Sequence, residues 1–271
     1  MSSLTFSLVQ TNLFWEDKSA NLQMLEQKIK SISEKTEVVI LPEMFSTGFS
    51  MKPEQFAETI DGETVNWMKT ISAERRVIVT GSLMIEEEGN YYNRMFWMLP
   101  NGQYGYYDKR HLFAMGDEHN HYTPGNKRFI AQANGWKINL QVCYDLRFPV
   151  WARQAPSPNL SLQGEGQEAE YDVLVYVANW PEKRNHAWKT LLQARAIENQ
   201  CFAIGVNRVG TDGNNFYHSG DSMVANAMGE VLYTKAHDED IFTITLHKNE
   251  LDEIRSKLPF WKDADPFKIL E

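Results

Sequence analysis

Reactive side chains stand where apolar runs of this chain end. Residues 38–41, Val-Val-Ile-Leu, run into Pro42-Glu43. An alternating segment ending at Val142 runs into Cys143-Tyr144-Asp145, and 172–178 runs into Asn179-Trp180-Pro181. Open α/β sheets bind ligands outside the carboxyl ends of their strands, so these ends can share a site despite their sequence separation. A thiol is mostly protonated at neutral pH and needs a base or a nearby cation to become a nucleophile. Glu43 follows four apolar residues and a proline, and a partly desolvated carboxylate suits general-base work. Cys143 has two readings. It is a small core residue, or it is a nucleophile at a strand-to-helix turn whose following N–H groups face a ligand. Cys201 opens Phe202-Ala203-Ile204-Gly205-Val206 and reads as core. Lys109, in Tyr107-Asp108-Lys109-Arg110-His111, is either a solvated charge or a site cation. The cluster Asp117-Glu118-His119-Asn120-His121 raises a metal reading that also draws in His111. Glu118, His119 and His121 lack the i, i+4 spacing of a helical ligand pair, so no metal is expected.

The elements that must position these groups are legible. Leu4, Phe6 and Leu8 alternate with Thr5 and Ser7 as in a half-buried strand. Residues 38–41 and 77–80 read as strands buried on both faces. Residues 82–86 and 91–99 flank Glu88-Gly89-Asn90, a hairpin signal. Further strands are expected at 104–107, 136–142, 172–178, 201–206, 221–231 and 241–246. A helix is expected at 20–32, with Leu22, Leu25, Ile29 and Ile32 on one stripe and Ser19 as N-cap. Others are expected at 65–73, from Pro149 onward, and at 187–199. Buried strands alternating with helices mean α/β layers, and the hairpins make the sheets mixed. No divider splits the chain, so one domain over 1–271 is expected. The Ser-, Asn-, Gly- and Glu-containing segment 156–170 reads as a surface loop.

Composition excludes other classes. In 271 residues, 27 Lys and Arg against 36 Asp and Glu give a net charge of −9. That balance lacks the basic face of a nucleic-acid binder and the polybasic attraction of a membrane-surface protein. The apolar share of 42 % is ordinary for a folded domain once glycine is added. No apolar run is long enough to span a bilayer. The opening Met1-Ser2-Ser3-Leu4 has no basic region before an apolar block. Two cysteines do not make a disulfide scaffold. A cytoplasmic, reducing compartment is therefore expected.

Leu41-Pro42-Glu43-Met44, Asp108-Lys109-Arg110-His111-Leu112-Phe113 and Val142-Cys143-Tyr144-Asp145-Leu146-Arg147-Phe148-Pro149 together resemble the nitrilase superfamily of carbon–nitrogen hydrolases. Asp117-Glu118 followed by Thr123-Pro124-Gly125 is similar to that family's second-glutamate segment. The resemblance implies a four-layer αββα sandwich with two mixed β-sheets, paired into a homodimer or larger homo-oligomer. It implies Glu43 as general base, Lys109 as oxyanion partner and Cys143 as nucleophile. Glu118 and Tyr144 would support them, and no cofactor would be required. Tyr144–Pro149, Tyr176-Val177-Ala178-Asn179-Trp180-Pro181 and the stretch from Gln193 to Gln200 are similar to the omega-amidase branch, in its bacterial YafV-type form. That branch hydrolyses the terminal amide of 2-oxoglutaramate and 2-oxosuccinamate, small-molecule substrates carrying a carboxylate. Arg147 is available to hold that carboxylate in a two-pronged contact, or else it pairs with Asp145. Lys183 and Arg184 compete for the role. Phe45, Phe113, Tyr144 and Trp180 are the expected pocket walls, or else core. The same triad serves amides, N-carbamoyl groups and nitriles, and an inert binding protein is the distant alternative. The aromatic tail 258–271 packs across a subunit interface or on its own domain.

Overall fold

The computed structural model describes residues 2–154, 169–265, 267 and 269. The loop read at 156–170 lies outside the described residues except for its last two positions. In chain order the strands are β1 (Ser3–Gln10), β2 (Val38–Ile40), β3 (Ile78–Glu87), β4 (Asn90–Met98), β5 (Tyr104–Asp108), β6 (Ile130–Ala133), β7 (Trp136–Val142), β8 (Val173–Ala178), β9 (Phe202–Asn207), β10 (Val209–Thr211), β11 (Tyr217–Ala225), β12 (Val231–Ala236) and β13 (Asp240–His247). The helices are α1 (Lys18–Ser31), α2 (Pro53–Phe56), α3 (Glu63–Arg75), α4 (Pro149–Ala152), α5 (Asn185–Asn199) and α6 (Lys248–Lys257).

Two mixed sheets result. One has the order β13-β1-β2-β3-β4-β5, the other β10-β11-β9-β8-β7-β6 with β12 on β11. Strands β1, β2 and β3 are parallel, as are β7, β8 and β9. The hairpin strands add antiparallel pairs. Period-two alternation assigns each strand's faces. Val38 and Ile40 of β2 join Leu4, Phe6 and Leu8 in one core with Trp136, Ile138 and Leu140 of the other sheet. Val39, and Leu41 just beyond, pack on the opposite face with Leu22, Leu25 and Ile29 of α1 and Val65 and Met68 of α3. Helix α5 covers the second sheet, where Trp188 Nε1 donates to the Asp221 carbonyl at 2.8 Å. The layers are therefore α, β, β, α. Burying each large apolar side chain contributes about 1.5–3 kcal/mol, so both faces of both sheets are committed to packing.

Several boundaries differ from the sequence reading. The segments 77–80 and 82–86 are one strand, β3, running through Gly81. Helix α1 begins two residues early because Asp17, not Ser19, caps it, with Oδ1 accepting from Ala20 N at 3.0 Å. The expected strand 221–231 is two strands, β11 and β12. They are separated by a turn in which Asn226 Oδ1 accepts from Met228 N and Glu230 N. The helix at Pro149 is only four residues long. Helix α6 was not expected. The two-residue turn Glu88-Gly89 has φ of +53° and +76°, the left-handed pair that tight hairpins require. At the tail, Leu258 O accepts from Gln200 Nε2, and Trp261 N donates to Gln200 Oε1 at 3.1 Å. That segment is docked on its own domain.

Candidate active site

Four strands, two from each sheet, end at one place. Glu43 follows β2, Lys109 follows β5, Cys143 follows β7 and Asn179 follows β8. Backbone bonds fix the first two. Met44, with φ of +44°, donates its N–H to Ser82 Oγ at 2.9 Å, and Lys109 N donates to the Asn93 carbonyl at 3.0 Å.

Lys109 Nζ lies 2.9 Å from Glu43 Oε1 and 2.8 Å from Glu118 Oε2, and none of the three side chains is exposed. Asn93 Nδ2 donates to both carboxylates, at 2.9 Å to Glu43 and 3.1 Å to Glu118. Phe113 N donates to Glu118 at 2.6 Å. Asn179 holds Glu43 twice, through its backbone N–H to Oε2 at 2.8 Å and its side-chain Nδ2 to the Glu43 carbonyl at 2.6 Å. Glu118 thus sits beside Lys109, with its second carboxylate oxygen also within reach at 2.9 Å.

Burial and charge oppose one another here. Burial disfavours the charge on Lys109, but Glu118 and then Glu43 overturn that and hold its pKa well above the ordinary lysine value. Burial raises Glu118, against the pull of Lys109. The Cys143 thiol is pushed well above its usual range, first by burial and then by the negative charge of Glu43, with Lys109 pulling the other way. Both the burial and the Glu43 charge thus favour the neutral thiol of Cys143, and the Lys109 charge opposes them. A buried ionic cluster of this kind is weak evidence for stability, since desolvation offsets much of the attraction. Strongly perturbed titratable groups gathered in one place mark a candidate functional site.

Cys143 has φ of +44°, a left-handed conformation that costs a non-glycine residue of order 1–3 kcal/mol and clusters at functional sites. Asp145 holds that turn. Its Oδ2 accepts from Val142 N at 3.1 Å and Tyr107 OH at 2.7 Å. Its Oδ1 accepts from His111 N at 2.9 Å and meets His111 Nδ1 at 2.8 Å. The carboxylate thereby ties the cysteine turn to the chain leaving Lys109. It is not paired with Arg147, which corrects one of the two readings of that arginine.

Cys143 opens into a cavity of about 330 Å³. Phe113, Tyr144, Arg147 and Trp180 line it, as expected. Phe45 does not. It packs in the core beneath the first sheet with Leu41 and Val79, its ring 5.9 Å from Trp67. The turn after β2 sends Glu43 into the site and Phe45 away from it. Lys183 is exposed and not among the lining residues, whereas Arg184 is among them. His111 stacks on Phe148 at 3.8 Å and His121 faces Asp117 at 3.2 Å, while His119 is exposed, so the three histidines weighed for a metal do not converge. Among the described residues no group of three or more His, Cys, Asp or Glu is placed to hold a metal ion.

Sequence reasoning missed Asn93 and Asn179 as anchors of the carboxylates. It also missed Asp212, Asn214 and Phe216, which line the cavity from the connection between β10 and β11, and His218, which lines it from the start of β11. Burial and the positive field of Arg208 depress His218 to a pKa of about 4, so it is neutral at physiological pH. Nothing in the spacing of these residues ties them to Cys143.

A family profile described as "Carbon-nitrogen hydrolase" matches residues 5–256. The chain belongs to the carbon–nitrogen hydrolase family. It is 42 % identical over 270 residues to "Omega-amidase YafV" of Escherichia coli (strain K12), covering 99 % of this chain and 100 % of that one. It is 31 % identical over 262 residues to "2-oxoglutaramate amidase" of Bacillus subtilis (strain 168), covering 96 % of each. Among solved structures, XC1258 from Xanthomonas campestris matches with a TM-score of 0.95 and 40 % identity over the full length of both chains. That structure is described as a CN-hydrolase superfamily protein with an arsenic adduct in the active site. The profile match and the structural match both run through both sheets, in agreement with an αββα sandwich for this chain.

Proposed function

We propose that this chain is a thiol-dependent omega-amidase that releases ammonia from 2-oxo dicarboxylic acid monoamides such as 2-oxoglutaramate and 2-oxosuccinamate. The observation that carries the reading is the buried Glu43–Lys109 pair beside Cys143, the thiol that opens into one small cavity. The full-length relatives bearing omega-amidase and 2-oxoglutaramate amidase names supply the substrate class.

The chemistry follows from the resting charges. Glu43 takes the Cys143 proton as Sγ attacks the amide carbon, so the thiolate forms only as it is consumed. Negative charge then develops on the carbonyl oxygen. The Lys109 ammonium and the backbone N–H of Tyr144 stabilise it, and losing one such donor typically costs about 3 kcal/mol. Collapse breaks the C–N bond, and Glu43 returns its proton to the departing nitrogen as ammonia. The acyl group remains on Sγ as a thioester. Glu43 next removes a proton from water, which attacks the thioester carbon. The C–S bond breaks, and the proton on Glu43 returns to the thiolate. Glu118 and Asn93 hold Lys109 and Glu43 in place through these steps. Arg147 holds the substrate carboxylate at the outer end. Phe113 and Trp180 wall the chain between them. No cofactor enters this scheme.

Exposed Ile197, Met228, Val231 and Leu232 support assembly into a homodimer or larger homo-oligomer, which sedimentation measures directly. No helix among the described residues is long and apolar enough to cross a membrane. A reducing cytoplasm suits a thiol enzyme.

The test is ammonia release from 2-oxoglutaramate by the wild type and Cys143→Ala, with glutamine and a simple nitrile alongside. Release from the oxo-amide alone, abolished in the variant, is the expected result. Cysteine-dependent release from a different substrate overturns the substrate assignment. No cysteine-dependent release from any of them overturns the amidase reading.

A further inference from the structure

Two guanidinium groups face the same cavity, and neither has a carboxylate partner among the described residues. Arg147 lies with its guanidinium carbon 4.8 Å from the Trp180 ring centroid. Arg184 lies 5.1 Å from the Phe113 ring centroid. Both aromatic rings line the cavity as well. An arginine seated on an aromatic face is held in orientation while its N–H edge stays free for a planar, two-pronged acceptor.

The two groups feel one another and the nucleophile. Burial lowers the Arg184 pKa; a thiolate at Cys143 would act on it in the opposite sense, and the Arg147 charge adds a smaller push in the same direction as burial. Like charges converging on a half-enclosed space raise the energy of the empty protein, and a bound anion relieves it. Asp212, also in the lining, has Oδ1 committed to Asn214 N and Phe216 N at 2.9 Å each. Its Oδ2 is 3.9 Å from His218 Nε2. The chain as a whole carries −9, so attraction of an anion to Cys143 must come from local cations. A cavity of about 330 Å³ is at the small end for ligand sites and suits a short acid.

We propose that Arg184 is the second arm of a carboxylate clamp, closing with Arg147 on the α-carboxylate of the substrate and selecting anionic ω-amides over neutral ones. This rests on the omega-amidase reading above and names the residue that would give it its specificity. The two aromatics then have a second role, since each fixes one arm. Helix α5 follows Arg184 directly, so that arm is set by the second sheet's cover.

The experiment compares Arg184→Met and Arg184→Lys with the wild type. On 2-oxoglutaramate, Arg184→Met should lose about 10- to 100-fold in kcat/KM, mostly through KM, as expected for one charged hydrogen-bonding arm. On pentanamide, which has no carboxylate, the same variant should stay within about threefold of wild type, and Arg184→Lys should recover part of the loss on the anionic substrate. Equal losses on both substrates, or an unchanged KM for the oxo-amide, would overturn the clamp. A second readout does not need hydrolysis: the ratio of Cys143 alkylation rates by iodoacetate and iodoacetamide. Arg184→Met should lower that ratio by at least about fivefold. If the wild type releases no ammonia from the oxo-amide, the omega-amidase reading fails, yet this ratio still decides the clamp. A fall supports it and an unchanged ratio refutes it.

Discussion

Replacing Glu43 by Gln should separate thiol reactivity from hydrolysis. Glu43 presses on Cys143 in two opposed ways. Its charge, after burial, is the main influence holding the thiol protonated, and it is the only group in the proposed scheme that accepts the thiol proton. Two unit charges about 5 Å apart at an effective dielectric of about 20 interact by about 3 kcal/mol, or about 2 pKa units. Glu43→Gln removes that repulsion and leaves the Lys109 charge in place, held by Glu118 at 2.8 Å. The midpoint of Cys143 alkylation should therefore move down by one to two pH units, an estimate from the same Coulomb term. Hydrolysis should fall by about 10²- to 10⁴-fold, the range for losing a general base. The assay is iodoacetamide labelling followed by mass spectrometry from pH 6 to 10, run beside ammonia release on the same preparations. A midpoint that stays put or rises, or hydrolysis within tenfold of wild type, refutes the reasoning.

Other outcomes follow from particular contacts. Asp145→Asn places an amide NH₂ against donors that the carboxylate now accepts from. It should destabilise the fold by about 2–4 kcal/mol in urea unfolding and lower kcat. Gly205→Ala puts a methyl 2.5 Å from Leu192 Cδ1 and 2.7 Å from Trp188 Cζ2. It should cost about 1–3 kcal/mol by overpacking, and an unchanged melting temperature contradicts that. His218, depressed to about 4 when folded from about 6.5 when free, takes up its proton more readily in the unfolded chain. Its contribution is complete above pH 6.5 and is lost as pH falls toward 4, amounting to about 2 kcal/mol between pH 7 and pH 5. His218→Gln should flatten that part of the stability profile, read from urea midpoints at the two pH values. Trp180→Ala removes both a cavity wall and the seat of Arg147, so KM should rise at least about tenfold; an unchanged KM refutes its place in the pocket.

What the sequence made legible was whatever local chemistry dictates. The run Val173–Ala178 is apolar throughout because both its faces are covered, and every residue is buried. The three motif segments placed Glu43, Lys109 and Cys143 at strand ends, because strand termini are visible as sharp changes in polarity, and a fourth segment placed Glu118 in a loop. Gly81 misled. It reads as a break, yet it lies inside β3, where a Cβ would come within 2.8 Å of Phe45 and 2.9 Å of Leu41. The glycine answers to a close approach rather than a turn. Strand β12 was missed because none of its residues is buried and half are exposed, so it lacks the apolar alternation of a core strand. Phe45 was misplaced by proximity to Glu43, although a bend at Met44 with positive φ reverses the side-chain direction. The residues after β10 carry no local signal, since only tertiary folding brings His218 and Asp212 to Cys143.

The order of strands in the first sheet bears on how the molecule is made. β1 lies between β2 and β13, pairing with β13 over eight residues from Ser3–His247 to Gln10–Asp240. During synthesis, residues 3–10 therefore wait with one edge unpaired until residue 247 has emerged. Glu43 and Lys109 leave the ribosome long before Cys143 and Asn179 join them from the other sheet. A chain that ends before β13 thus lacks a closed first sheet, and it presents an edge strand open to pairing with other chains. The last strand completes the fold by stitching its first one in place, so premature termination anywhere before 240 should yield insoluble protein rather than a weakened enzyme.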